Sequence, residues 1–367
     1  MGVSAQPTRM SALMPLMLAL AACSGGGGEP PPQSTPPPSS LFVLGDSLSD
    51  VGNAAAAADY VLNVPIDPPT VGLCNPIDVL ALHRRCDDLF YRQSRVSDGP
   101  LAVEHLAARF GLPPLRPSLH VLPNQPRDGT VYAITGAKAG GVADEDLARQ
   151  VDWLLIDETP LPPDALYVIM IGGNDAIGAL KADAQSPAAA VKPSAAIVSA
   201  AVDAIATQAE RLLAFGARRV VVANVPDLAA VPAVRIAARA SGDEAAALAA
   251  ANAISVAFNR KLDAKLDDLD AAARLLTPAP VIARFDLYAA LSGAQLAVAA
   301  NGGNATDACF ASDVYRESST AQRVFHADCA PVTVDVAPRF AQFAFFDGIH
   351  PTGAAHAKIG EALSALF

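Results

Sequence analysis

Leu41-Phe42-Val43-Leu44-Gly45-Asp46-Ser47 sets a four-residue apolar run directly against a polar turn. A short hydrophobic run without alternation reads as a strand buried on both faces, as in parallel sheets. Working outward, the same signal recurs at residues 166–171 and 220–225, and more weakly at 281–285. Helical patterns fill the spaces between. Residues 101–110 are stopped by Gly111 and Pro113, and residues 194–215 by Gly216. Residues 243–268 carry Ala247, Leu248, Ala251, Ile254, Phe258, Leu262 and Leu266 at helical spacing, and a last helix spans 353–366. Strands alternating with helices predict an α/β fold with a central, mainly parallel sheet covered on both faces, a three-layer α/β/α sandwich. With no internal repeat and no second linker, residues 41–367 form one domain. The stretches 60–97 and 289–342 read as irregular insertions on that scaffold.

Composition narrows the function. The chain has 367 residues, of which 52% are hydrophobic and only 17% charged, so it is not a disordered polymer. Lys and Arg number 26 against 37 Asp and Glu, a net charge of −11. That balance argues against a nucleic-acid partner, which needs a basic face. At 5% aromatic residues, a base-stacking platform is also unsupported.

The first residues form a separate segment. Arg9 is followed by residues 10–22, uncharged and mostly apolar, and by Leu20-Ala21-Ala22-Cys23 at the end. That run is too short to span a bilayer, which takes about 20 residues, and reads as a signal peptide over 1–22. The small residues before Cys23 resemble the lipobox of bacterial lipoproteins. The resemblance implies cleavage before Cys23 and lipidation of its thiol and amine; an ordinary signal peptide cut near Ala22 is the alternative. Residues 24–40, SGGGGEPPPQSTPPPSS, read as a tether, floppy in its Gly part and extended in its Pro part. The expectation is an exported, lipid-anchored envelope protein. Ser24 after the lipidated Cys points to the outer membrane, with its face left open.

Five cysteines occur, and setting Cys23 aside leaves Cys74, Cys86, Cys309 and Cys329. Four cysteines in an exported chain suit disulfides, with three pairings possible. Nearest-neighbour pairing, Cys74 with Cys86 and Cys309 with Cys329, is favoured because each pair sits in a loop-like segment; free buried thiols are the alternative. No CxxC occurs, so no metal site is expected.

Three strings carry chemistry. Gly45-Asp46-Ser47-Leu48-Ser49-Asp50 follows the first strand. In an open parallel sheet, ligands bind beyond the carboxyl ends of strands, which puts Ser47 in that crevice. Ser is a weak nucleophile without a base, and alone this string reads as well as a capped turn. Asp347-Gly348-Ile349-His350-Pro351-Thr352 supplies a base. A carboxylate three residues from an imidazole lies on one side of a turn, where it fixes the tautomer and stabilises the protonated ring. Pro351 holds His350 extended, and Thr352 reads as an N-cap. His356, inside the last helix, is expected to face solvent. Gly172-Gly173-Asn174-Asp175 follows the second strand. The Asn174 amide is a candidate donor to a developing oxyanion, although an Asn-Asp cap of the strand is an equal reading when it is taken alone.

Together the strings resemble the SGNH/GDSL family of serine esterases and lipases, over most of residues 41–367. The first block falls on residues 45–53, GDSLSDVGN, the second on Tyr132-Ala133-Ile134-Thr135-Gly136-Ala137, the third on Gly172 to Asp175 and the last on Asp347 to Thr352. The resemblance implies a flavodoxin-like SGNH-hydrolase fold. It places the nucleophile on Ser47, the base on His350 and the acid on Asp347. It gives the oxyanion hole to Ser47 N–H, Gly136 N–H and Asn174. Asp50 and Asn53 are expected to lock loops. The segment Arg95-Val96-Ser97-Asp98-Gly99-Pro100 is similar to one in the lipase-like branch. Val131 and Thr135 depart from the family pattern, which has Asn and Gly there. No GxSxG occurs, so this is not the α/β-hydrolase elbow.

The implied reaction is hydrolysis of a lipid or other small acyl ester through an acyl-enzyme, with no metal or organic cofactor. An O-acetyl polysaccharide deacetylase or an acyltransferase would use the same residues. A non-catalytic surface lipoprotein would predict an eroded catalytic position, and none is eroded.

Overall fold

The structure, a computed structural model, describes residues 1–2, 36–61, 95–125, 127–187, 190–310, 326–329 and 339–367. Its central sheet has four parallel strands, β1 (Leu41–Gly45), β2 (Leu166–Met170), β3 (Arg219–Ala223) and β4 (Val281–Phe285), paired in that order. Residues 130–134 run along the free side of β1 without becoming a full strand. Val43 N–H donates to Thr130 O at 2.9 Å, Tyr132 N–H to Val43 O at 2.7 Å and Ile134 N–H to Gly45 O at 3.2 Å. This fifth member brings the Thr135-Gly136 loop to the same carboxyl edge as Ser47.

Nine helices are described: α1 (Asn53–Val61), α2 (Ala102–Arg109), α3 (Leu147–Asp157), α4 (Gly173–Gln185), α5 (Ser194–Ala214), α6 (Pro232–Ala240), α7 (Glu244–Ala273), α8 (Leu287–Ala300) and α9 (Gly353–Ser364). Period-two side-chain alternation divides the strands between two cores. Phe42, Leu44, Tyr167, Ile169, Val220 and Val222 pack with α3, α4, α5 and α7. Leu41, Val43, Leu166, Val168 and Val221 pack with α2, α8 and α9. Both faces of β1, β2 and most of β3 are therefore dry, which is why the sequence shows apolar runs there instead of alternation, whereas edge strand β4 is half-exposed and its signal is weaker. The three-layer α/β/α expectation holds. Among the described residues, no helix is long and apolar enough to cross a membrane.

Two expectations are corrected. The stretch 289–342 is not wholly irregular, because α8 covers its start and it contains a short strand, β5 (Asn304–Ala308), which pairs in parallel with β6 (Phe343–Phe345) just beyond it. The α8 run LYAALSGAQLAVAA has no charged residue to mark a polar face, so its period is faint. His356 does not face solvent: it is 2% exposed. Helix α9 packs against both α2 and α8, so it has two buried faces and His356 lies on one of them.

Cys309 and Cys329 form a disulfide, as nearest-neighbour pairing expects. It sits in a small apolar cluster with Val96, Phe310, Phe340, Phe343 and Phe346. Cys23, Cys74, Cys86 and the segments 3–35 and 62–94 lie outside the described residues.

Candidate active site

β1 delivers Ser47 to the carboxyl edge. Gly45 is required at its end by space, because a Cβ there would stand 2.4 Å from Met170 O on β2. Gln150 of α3, fully buried, clamps the same residue from the side. Its Oε1 accepts from Gly45 N–H at 2.8 Å and its Nε2 donates to Gly45 O at 2.8 Å. The backbone then turns, with Ser49 and Asp50 N–H both donating to Asp46 O.

The Asp347–Thr352 turn reaches Ser47 from the other end of the chain. His350 Nε2 lies 2.8 Å from Ser47 Oγ. His350 Nδ1 lies 2.9 Å from each Asp347 carboxylate oxygen. Asp347 Oδ1 also accepts from the backbone N–H of Ile349 and of His350, each at 2.8 Å. All three side chains are buried. Burial pushes the Asp347 carboxyl up, but the charge and hydrogen bond of His350 and the two backbone donors outweigh it, and its pKa ends below the ordinary carboxylate value. Asp347 is therefore an anion, and a ring held this way carries its neutral-state proton on Nδ1 and turns an Nε2 lone pair to Ser47 Oγ. Thr352 caps α9, accepting from Ala355 N–H, as its place in the sequence predicts.

The turn itself is buttressed by residues 95–99. Ser97 Oγ donates to Pro351 O at 3.1 Å, and Asp98 Oδ1 accepts from Gly353 N–H at 2.8 Å. Gly99 and Gly353 touch backbone to backbone, and a Cβ on Gly99 would meet Gly353 Cα at 2.8 Å. Arg95 anchors this segment on Glu104 of α2 with Nε to Oε2 at 2.6 Å.

The third side of the site is the loop 135–140. Thr135 N–H and Oγ1 both donate to Asp50 Oδ2, at 2.8 and 3.0 Å. Asn174 Nδ2 donates to Ala137 O at 2.9 Å. Asp175 accepts from Ala139 and Gly140 N–H at 2.8 and 3.0 Å, and Asp146 accepts from Lys138 and Ala143 N–H. Gly136 sits in the middle at φ +91°, a left-handed conformation that glycine adopts without strain. Neither Gly136 N–H nor Ser47 N–H has an acceptor among the described residues. Asn174 has a second amide hydrogen beyond the one given to Ala137 O. Among the described residues, Ser47 N–H, Gly136 N–H and one Asn174 amide hydrogen are thus uncommitted.

Asp50 and Asn53 do lock the loops. Asn53 Nδ2 donates to Val131 O and Ala133 O, and its Oδ1 accepts from Leu119 N–H. Of the two departures from the family pattern, Thr135 adds a hydroxyl bond to Asp50 and Val131 is fully buried in the core. Gln150 and the Ser97–Asp98 brace are contributions that sequence reading did not assign. Asp46, in contact with the pocket, was read only as a possible cap. Burial drives its carboxyl up to about 7.

A mostly apolar pocket, open to solvent, is lined by Ser47, Asn174 and Leu48 and continues among Met170, Leu287, Leu291, His356 and Ile359.

Comparison with known proteins agrees with this geometry. A family model described as GDSL-like Lipase/Acylhydrolase matches residues 41–363. Acetylajmalan esterase of Rauvolfia serpentina is 26% identical over 355 residues, covering 88% of this chain and 84% of that relative. With the family model spanning nearly the whole folded region, the chain belongs to the GDSL-like lipase/acylhydrolase family.

Proposed function

We propose that the protein hydrolyses carboxylic esters through Ser47, His350 and Asp347. The observation that carries this reading is the unbroken run of contacts from Asp347 through His350 to Ser47 Oγ. His350 Nε2 takes the Ser47 proton as Oγ attacks the ester carbonyl carbon. The resulting oxyanion is held by Ser47 N–H, Gly136 N–H and the Asn174 amide. Its collapse breaks the bond to the alcohol oxygen, which receives the proton from His350. Water, deprotonated by the same ring, then releases the acid and restores Ser47. Asp347 keeps the ring oriented and stabilises its charged form.

We further propose that the mature chain begins at a lipidated Cys23, with 24–40 as tether, and is held at the cell envelope. The sequence of residues 9–40 alone supports that reading.

The test is hydrolysis of p-nitrophenyl esters from acetyl to palmitoyl by residues 24–367, with Ser47→Ala run alongside. Activity lost in the variant supports the reading, and the chain-length optimum separates a lipase-like enzyme from an acetyl esterase. A Ser47→Ala protein as active as the parent would overturn it.

A further inference from the structure

The mostly apolar pocket behind Ser47 holds two polar side chains that the proposed reaction does not use, Asp46, which accepts from Leu48 N–H, and His356, which has an unpartnered donor. His356, in the second turn of α9, forms part of its wall beside Leu291 and Ile359. The ring is 2% exposed. Its Nδ1 accepts from Ala102 N–H at 3.3 Å, so the proton of the neutral ring is on Nε2. That Nε2–H is buried and has no acceptor among the described residues. Burial, with the neighbouring His350 and His105 adding to it, drives the pKa down to about 3, and the ring is neutral throughout the working range. Buried polar groups are as a rule hydrogen-bonded, so an unpaired donor in a pocket wall calls for a partner.

We infer that His356 is a specificity residue whose Nε2–H bonds an acceptor oxygen carried by the substrate's acyl group. This rests on the esterase reading above. The acyl group is assigned to the pocket because it stays on Ser47 through both chemical steps. The alcohol must leave, and water must take its place, so that half belongs on the solvent side. An acyl chain of hydrocarbon alone would satisfy the apolar walls and strand the donor. An acyl chain with a ketone, hydroxyl or second ester oxygen along it would satisfy both. The preferred substrates are therefore oxygenated acyl esters.

The rival occupant of the Nε2 site is a buried water shared with His105, whose own Nε2 is buried and unpartnered on α2. A water would satisfy the donor without selecting among substrates.

The experiment uses purified residues 24–367 and matched pairs of p-nitrophenyl esters. Each pair has one alkanoyl ester and its oxo counterpart, with the ketone moved one carbon at a time along the chain. The expected result is that one oxo position is preferred in kcat/KM by about tenfold or more over its alkanoyl partner, after correction for their uncatalysed rates. His356→Phe should bring that ratio to about one, and His356→Gln, which keeps an N–H donor, should restore part of it. A ratio near one at every position in the parent protein overturns the inference and leaves the esterase reading standing. A ratio that survives in a folded His356→Phe protein also overturns it. No hydrolysis of any ester overturns both.

Discussion

Asp50 and Thr135 lie 85 positions apart in the chain, and both the backbone N–H and the hydroxyl of Thr135 end on the same Asp50 oxygen. Asp50 also accepts from Gly52, Asn53 and Ala54 N–H. The turn that follows Ser47 and the loop that holds Gly136 are thereby one rigid unit. The proposed oxyanion donors are fixed relative to the nucleophile before any substrate arrives.

Removing that link in steps should separate its parts. Thr135→Val deletes the hydroxyl bond and keeps the N–H bond, so it should cost about 1 kcal/mol in stability. Its kcat should drop less than tenfold. Asp50→Ala deletes the shared acceptor for five donors in a buried site. It should cost more than about 3 kcal/mol, since several buried donors lose their partner at once. Urea unfolding and steady-state kinetics on the two variants check the ordering. A larger effect in Thr135→Val than in Asp50→Ala would contradict it.

Asn174 divides its amide between structure and proposed catalysis. One hydrogen holds Ala137 O and the other is free beside Ser47. Asn174→Ala should lower kcat by about 10²–10³, as loss of an oxyanion donor does, with KM little changed. Ala137 O lies in a loop also tied by Asp175 and Asp50, so stability should fall by only about 1 kcal/mol. A variant that loses binding instead of turnover would place Asn174 outside the oxyanion site.

Two glycines near Ser47 are needed for different reasons and should fail differently. A methyl at Gly45 would enter Met170 O, a backbone atom of the neighbouring strand that cannot move aside without breaking β1–β2 pairing. Gly45→Ala should therefore give little folded protein. A methyl at Gly136 meets nothing within 4 Å, and the problem there is φ alone. Gly136→Ala should fold with a loss of about 1–2 kcal/mol, the cost of the left-handed conformation. Its kcat should fall with the misdirected N–H. Soluble yield and circular dichroism for the first, and kinetics for the second, distinguish them.

How much of this was legible in the sequence depends on what each residue's neighbours are. The first three strands were readable because a parallel sheet under two helix layers leaves them dry on both faces, and β4 was fainter because this edge strand is half-exposed. Ser47, Asn174, Asp347 and His350 were readable because each string ends a strand or precedes a helix with its chemistry in a few consecutive residues. Gln150 was not, because nothing in Leu-Ala-Arg-Gln-Val marks the one side chain that reaches a glycine 105 positions away. His356 was misread because a single helix pattern assumes one buried face, and α9 has two. The helix at 287–300 was hidden by the uniform apolarity of its sequence.

Asp46 makes a pH prediction whose sign follows from its burial. Its carboxyl is pushed up to about 7 in the folded protein. A carboxyl with a raised folded value binds its proton more tightly when folded. It therefore destabilises the fold progressively as pH rises from the ordinary carboxylate range toward 7, and fully above that. Asp46→Asn keeps an oxygen for Leu48 N–H, which donates to Oδ1 at 3.1 Å, and removes the charge. The variant should equal the parent near pH 4 and exceed it near pH 8, by a few kcal/mol. Asp347 has the opposite sign, since its folded value is depressed. Its contribution is present above the ordinary carboxylate value and is lost as pH falls through the depressed one. Unfolding free energies measured from about pH 4 to about pH 8 for the parent and Asp46→Asn check the Asp46 sign. A variant less stable than the parent at pH 8 would refute the Asp46 assignment.

The Cys309–Cys329 disulfide makes the last prediction, because of what it holds. The bond closes a separation of 20 residues, which in the chain-entropy account stabilises by about 3 kcal/mol. Cys309 N–H donates to Phe345 O and Phe310 N–H to Phe346 O. Phe346 N–H in turn donates to His350 O at 2.8 Å. The disulfide therefore anchors the strand whose end carries the Asp347–His350 turn. Replacing both cysteines by Ala, or reducing the bond, should lower Tm by about 4–5 °C. Below that new transition the turn is still held by Ser97, Asp98 and Thr352, so kcat should remain within severalfold of the parent. Thermal melts with and without reductant, paired with rates at a temperature below both transitions, read the two effects separately. Tm and kcat both unchanged would mean that Cys309 and Cys329 are not joined in the folded protein. A large loss of kcat with Tm unchanged would mean that the bond sets the geometry at His350 directly instead of anchoring the strand beneath it.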